Sequence, residues 1–146
     1  MIGSYLLILS LSEDRQIRIG SLGAREFRKG YYVYVGSALG KNMGIERRLS
    51  RHRHLVLNKK RSLRWHIDYL LVNEAVKLED VISIPSKERL ECELSRRVEK
   101  LSERVVRGFG SSDCKRSRCR GHLHFFRTNP TDSILRLGLR SDLSGG

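Results

Sequence analysis

Residues 30–52 read GYYVYVGSALGKNMGIERRLSRH, and their reading decides the fold. The aromatic and β-branched run at residues 31–35 is strand chemistry, and it stops at Gly36. A glycine-rich loop follows through Gly40, Lys41 and Gly44. A basic helix is then predicted from Ile45 to about Leu57, carrying Arg47, Arg48, Arg51, His52 and Arg53, with Ile45, Leu49 and Val56 as its apolar face. Strand, glycine turn and cationic helix together form a docking place for a phosphate, because helix-start amides point outward unpaired and the helix dipole favours an anion there.

Outward from this stretch, residues 4–11 (SYLLILSL) read as a buried strand and residues 15–19 as a half-buried one. Gly20, Gly23 and Gly30 punctuate the chain between them and residue 31. Residues 65–72 (WHIDYLLV) read as a helix, 81–84 as a strand ending before Pro85, and 87–104 as a helix with Leu90, Leu94, Val98 and Leu101 at helical spacing. Residues 122–126 read as a last strand. The expected fold class is α+β, a small and mostly antiparallel sheet flanked by helices. The expected organisation is one domain over residues 1–130 and a C-terminal extension over 131–146.

The 146 residues carry a formal charge of +13. The excess is uneven. Residues 41–64 hold nine Lys/Arg and one acid (+8), and residues 104–127 hold seven and one (+6). Residues 65–103 between them hold six Lys/Arg and nine acids (−3). Two basic blocks around an acidic segment fit a polyanion-binding surface with a carboxylate placed at it better than a uniformly solvated surface does. The apolar run at residues 6–9 is too short to span a membrane, and three cysteines do not make a secreted disulfide framework. The expectation is a cytoplasmic protein with no membrane partner, its oligomeric state left open.

The loop after Gly36 is not a Walker loop. Three residues separate Gly36 from Gly40 where four are needed, and Asn42 stands where a Ser or Thr would hold magnesium. Cys114, Cys119, His122 and His124, with Cys92 elsewhere, approach zinc-ligand spacing. Cys92 is more simply a core residue on its helix, so structural zinc is disfavoured.

The ordered set of motifs resembles the GIY-YIG nuclease superfamily. Gly3-Ser4-Tyr5 is similar to the first signature and Tyr34-Val35-Gly36 to the second. Arg48, twelve residues after Gly36, matches the helix arginine, and His52 the His or Tyr one turn later. Leu90-Glu91 with Leu94 resembles the helix that carries a metal-binding glutamate. The long gap between the signatures, HIDYL at residues 66–70 and GFGSSDC at 108–114 are more similar to the Uri-type endonuclease branch. A late asparagine common in the superfamily has no counterpart, since Ser111, Ser112 and Asp113 occupy that region.

The resemblance implies a metal-dependent endonuclease that hydrolyses phosphodiester bonds, with nucleic acid as partner, DNA ahead of RNA. Tyr5 or Tyr34 would accept a proton from water if its phenol were acidified. Arg48 would bind the phosphate, His52 would assist, and Glu91 would hold Mg2+ or Mn2+. Gly36, Lys41, Arg47, Arg51, Lys59, Lys60 and Arg61 are the candidate nucleic-acid contacts. Each residue also has a structural alternative: strand tyrosines pack, helix arginines face solvent, and Glu91 pairs with a neighbouring base. The functional alternative is a nucleic-acid-binding module that keeps the fold without cutting. For His66 and Asp68, packing and helix capping are the expected roles, with a phosphate contact from His66 as the lesser reading.

Overall fold

The computed structural model describes residues 2–38, 44–59, 63–110 and 120–138. Seven strands and four α-helices lie in these residues: β1 (Gly3–Leu11), β2 (Arg15–Arg18), β3 (Ala24–Phe27), β4 (Gly30–Ala38), α1 (Ile45–Asn58), α2 (His66–Leu71), β5 (Val76–Pro85), α3 (Glu91–Leu101), β6 (Arg104–Val105), β7 (Leu123–Phe126) and α4 (Thr131–Leu135). A five-stranded sheet has the order β5-β1-β4-β7-β6, with every neighbouring pair antiparallel. Strands β2 and β3 form a separate hairpin, joined by a 3-10 turn at Gly20–Leu22. The fold is the expected α+β plan.

Alternation along the central strands sorts their side chains onto two faces. Tyr5, Leu7, Leu9 and Leu11 of β1 join Tyr32 and Ala38 of β4 in one core, which α1 and α2 close with Ile45, Leu49, Leu55, Ile67, Leu70 and Leu71. Leu6, Ile8, Val33 and Val35 face the other way, where α3 and α4 supply Leu94, Val98 and Ile134. The helix α4 falls in the segment read as an extension, and its Ile134 is buried in this second core.

Several boundaries differ from the sequence reading. Strand β5 begins at Val76, five residues early, because its first half pairs with residues 9–11 of β1 across a bulge at Ile8/Leu9. Helix α3 begins at Glu91 instead of Lys87. Residues 86–88 are instead turned by a hydrogen bond from the Glu88 amide to Ser86 Oγ (3.0 Å). Helix α1 buries Leu55 and His52 alongside Ile45 and Leu49, while Val56 is only half-buried. Strands β3 and β6 are too short to show a readable alternation. At the end of α1, Lys59 takes a left-handed conformation (φ 52°) and its amide donates to Leu55 O (2.9 Å).

Candidate active site

Tyr5 and Gly36 face each other across β1 and β4. A Cβ at position 36 would lie 2.4 Å from Tyr5 Cζ, so the glycine leaves the space in which the phenol lies across β4. Tyr5 is 1 % exposed, and its hydroxyl lies 2.7 Å from Nε2 of His52, itself fully buried on the inner face of α1. Tyr34 stands two residues before Gly36, its ring centroid 6.4 Å from both the Tyr5 and His52 rings. His52 is buried because helical spacing from Ile45 and Leu49 turns it toward the sheet.

Burial sets the protonation of this group, and it acts against acidification. It pushes the Tyr5 phenol well above the usual tyrosine range; the charge and hydrogen bond of Arg48 pull it back only in part, and Glu91 and Asp68 oppose Arg48. Tyr34 is also raised, by burial first and then by Tyr5 and Glu91. The His52 imidazole is lowered to about 4 by burial, which outweighs the opposing charge of Asp68; Arg51 and Arg48 add to the lowering. The resting site therefore holds protonated phenols and a neutral imidazole. With the phenol protonated and donating to His52 Nε2, the imidazole proton sits on Nδ1. Nδ1 is buried without a partner, and so is Nε of Arg48.

Arg48, one turn before His52, packs its guanidinium 4.7 Å from the centroid of Trp65. Trp65 in turn meets the edge of His52, with ring centroids 6.3 Å apart. Glu91, 7 % exposed, opens α3, with Arg89 Nη1 3.7 Å from its carboxylate. Its charge acts on both phenols. Tyr5, Tyr34, Arg48, His52 and Glu91, distant in sequence, thus belong to one electrostatic neighbourhood.

The proposed nucleic-acid contacts divide. Arg47 is exposed on α1, and Gly36 is buried under Tyr5. Arg51 is committed elsewhere: its two terminal nitrogens donate to both oxygens of the buried Asp68 at 2.6 and 2.8 Å. Lys59 Nζ donates to Leu71 O and Val76 O, both at 2.9 Å, which ties α1 to the end of α2 and the start of β5. Burial lowers its pKa. Both pairings have the same cause: a long cation next to buried oxygens satisfies them before it reaches solvent. Lys41, Lys60 and Arg61 lie outside the described residues, as do Ser111, Ser112, Asp113, Cys114 and Cys119.

Asp68 performs the expected capping, accepting from the amides of Arg64 (2.7 Å) and Trp65 (2.8 Å). Arginine bonds and these two amides hold its carboxyl below the ordinary range although burial pushes the other way. His66 Nδ1 accepts from the Gly110 amide (2.9 Å), beside Phe109, whose ring lies 6.1 Å from that of Tyr34. Of the other histidines, His124 is bonded to Ser95, and Cys92, which is disulfide-bonded, lies 3.7 Å from His122 Nε2. Sequence reasoning missed Trp65 as the partner of the site arginines. The available signal was a lone tryptophan directly after Arg64 at the edge of the most basic block.

Compared with known protein families, residues 4–140 match a family described as a domain of unknown function, DUF123. The chain belongs to that family. No curated protein and no solved structure matches it. No helix among the described residues is long and apolar enough to cross a membrane.

Proposed function

We propose that the protein is a metal-dependent endonuclease of the GIY-YIG type, hydrolysing phosphodiester bonds of DNA or structured nucleic acid. The observation that carries this reading is the convergence on Tyr5, which meets His52 at 2.7 Å and lies in the field of both Arg48 and Glu91. An unpartnered Nε on Arg48 supports anion binding, since a buried donor without an acceptor costs about 1–3 kcal/mol until one arrives.

Glu91 fits a magnesium or manganese ion as a single hard oxygen ligand. The described residues contain no group of three or more metal-ligating side chains, so the remaining ligands would be water and phosphate oxygens. Such an ion, when bound, supplies Lewis-acid polarisation of a phosphoryl oxygen. Arg48 binds the scissile phosphate and stabilises the charge that grows on it. The Tyr5 oxygen accepts the proton of the attacking water as its own proton passes to His52 Nε2. A bound phosphate favours the resulting imidazolium, which burial alone disfavours. The raised phenols also favour a second reading, a binding module that does not cut, because neither tyrosine is a free base in the resting protein.

The test is cleavage of supercoiled, branched and single-stranded DNA with Mg2+ or Mn2+. Glu91→Gln is expected to lose about a thousandfold in cleavage while binding stays equal or tightens, since a charge that repels phosphate is gone. Arg48→Ala is expected to lower both cleavage and binding. A wild type that binds but cuts none of these substrates transfers the account to the binding module.

A further inference from the structure

Trp65 collects three cations. The guanidinium carbons of Arg48, Arg51 and Arg64 lie 4.7, 4.5 and 5.5 Å from the centroid of its ring. Like charges gathered on one ring repel, and Asp68 is a carboxylate bonded into the cluster. Asp68 pairs with Arg51 and uses its remaining capacity on the amides of Arg64 and Trp65. Arg48 and Arg64 have no carboxylate partner among the described residues. Arg48 Nε is buried and unpartnered, and the exposed Arg64 guanidinium has no hydrogen-bond acceptor among the described residues.

We infer that Arg64, seated on Trp65, forms a second phosphate subsite beside Arg48, so that the substrate is a polynucleotide strand presenting consecutive phosphates and not an isolated phosphate ester. The inference deepens the phosphodiester reading and rests on it for the role of Arg48 at the scissile phosphate. The indole holds both guanidiniums by cation–π contact, and Asp68 fixes the backbone from which Arg64 and Trp65 project. This pre-orders the two cations before a strand arrives, which lowers the cost of binding. Because guanidiniums already cover the indole, Trp65 is a support for arginines and not a platform on which a base stacks. The subsite therefore positions the strand by its backbone and carries no base preference.

Trp65 is the only tryptophan in the chain, so its emission reports the subsite directly. The experiment titrates the full chain, in EDTA so that nothing is cut, with inorganic phosphate and with a single-stranded DNA oligonucleotide over a range of salt. Wild type, Arg64→Gln and Arg64→Lys are compared after a thermal melt confirms that each is folded. The oligonucleotide is expected to change Trp65 emission. Arg64→Gln should weaken it about tenfold and lower the magnitude of the log K against log salt slope by about one. Arg64→Lys should keep the slope, and phosphate affinity should not move in either variant. The inference is overturned if Arg64→Gln leaves oligonucleotide affinity and slope unchanged or weakens both ligands equally. It is also overturned if emission ignores the oligonucleotide, or if polyglutamate binds as tightly. Intact two-site binding without cleavage when metal is restored would remove the catalytic reading alone.

Discussion

Among the described residues two hydroxyl–imidazole pairs are buried, one on each face of the sheet, and they share their local geometry. Tyr5 and His52 meet at 2.7 Å on the α1 side, and Ser95 and His124 meet at 2.7 Å between α3 and β7. Both imidazoles are 0 % exposed, both have an unpartnered Nδ1, and burial lowers both to about 4. What differs is the surroundings. Ser95 donates its proton to Gly121 O at 2.8 Å, which leaves its oxygen to accept from His124 and closes the circuit on backbone. The nearby charges, Arg120 and Glu99, already pair with each other at 2.6 Å. Around Tyr5, by contrast, Arg48 keeps a buried donor without an acceptor, and Arg64 stands beside it on Trp65. A buried hydroxyl–imidazole contact is therefore not in itself a site. What sets the Tyr5 pair apart is the buried donor left without an acceptor next to it.

The likeness of the pairs has a consequence for pH. An imidazole lowered from 6.5 to about 4 on folding binds fewer protons than the unfolded chain between those values. Its contribution is complete above pH 6.5 and is lost as pH falls toward 4. Each imidazole should account for about 3 kcal/mol of that loss. Asp68 opposes the lowering of His52 and Glu99 that of His124, while Arg51 and Arg48 reinforce the first and His122 and Arg120 the second. Urea unfolding at pH 7, 5.5 and 4.5 should show the loss, and His124→Asn should remove about half of the slope. A flat profile would mean that neither imidazole is held neutral, and the comparison between the pairs would lose its basis.

Lys59 tests the distinction between committed and uncommitted charge. Its ammonium satisfies two carbonyls, so Lys59→Ala should destabilise the fold by about 1–3 kcal/mol and leave the salt dependence of DNA binding unaltered. A shallower slope with an unchanged melting temperature would place Lys59 among the phosphate contacts after all.

Much of this was legible in the sequence, and the illegible part has a common physical origin. Strands β1 and β4 and helix α1 announce themselves because alternation and four-residue spacing are local properties of Leu6, Leu7, Tyr32, Val33, Ile45 and Leu49. The late start of α3 was hidden because Lys87, Glu88 and Arg89 are good helix formers leading into Leu90, although Ser86 turns the chain there. The five candidate positions could be named from their order along the chain. The commitments of Arg51 and Lys59 could not, since their partners lie 12 to 17 residues away and are brought close only by packing. The depth at which Tyr5 is buried was not legible either, and burial is the largest influence on its phenol.

The most direct test of the contrast is the cleavage rate per folded molecule of Tyr5→Phe beside Ser95→Ala, on the same DNA with magnesium. Tyr5→Phe removes the oxygen on which Arg48 and His52 converge, and its rate should fall by about a hundredfold or more. Ser95→Ala should lose stability, because the hydroxyl that bonds both His124 and Gly121 O is gone, yet cut at the wild-type rate. Equal losses in the two variants, or a Tyr5→Phe protein that cuts like wild type, would contradict the account.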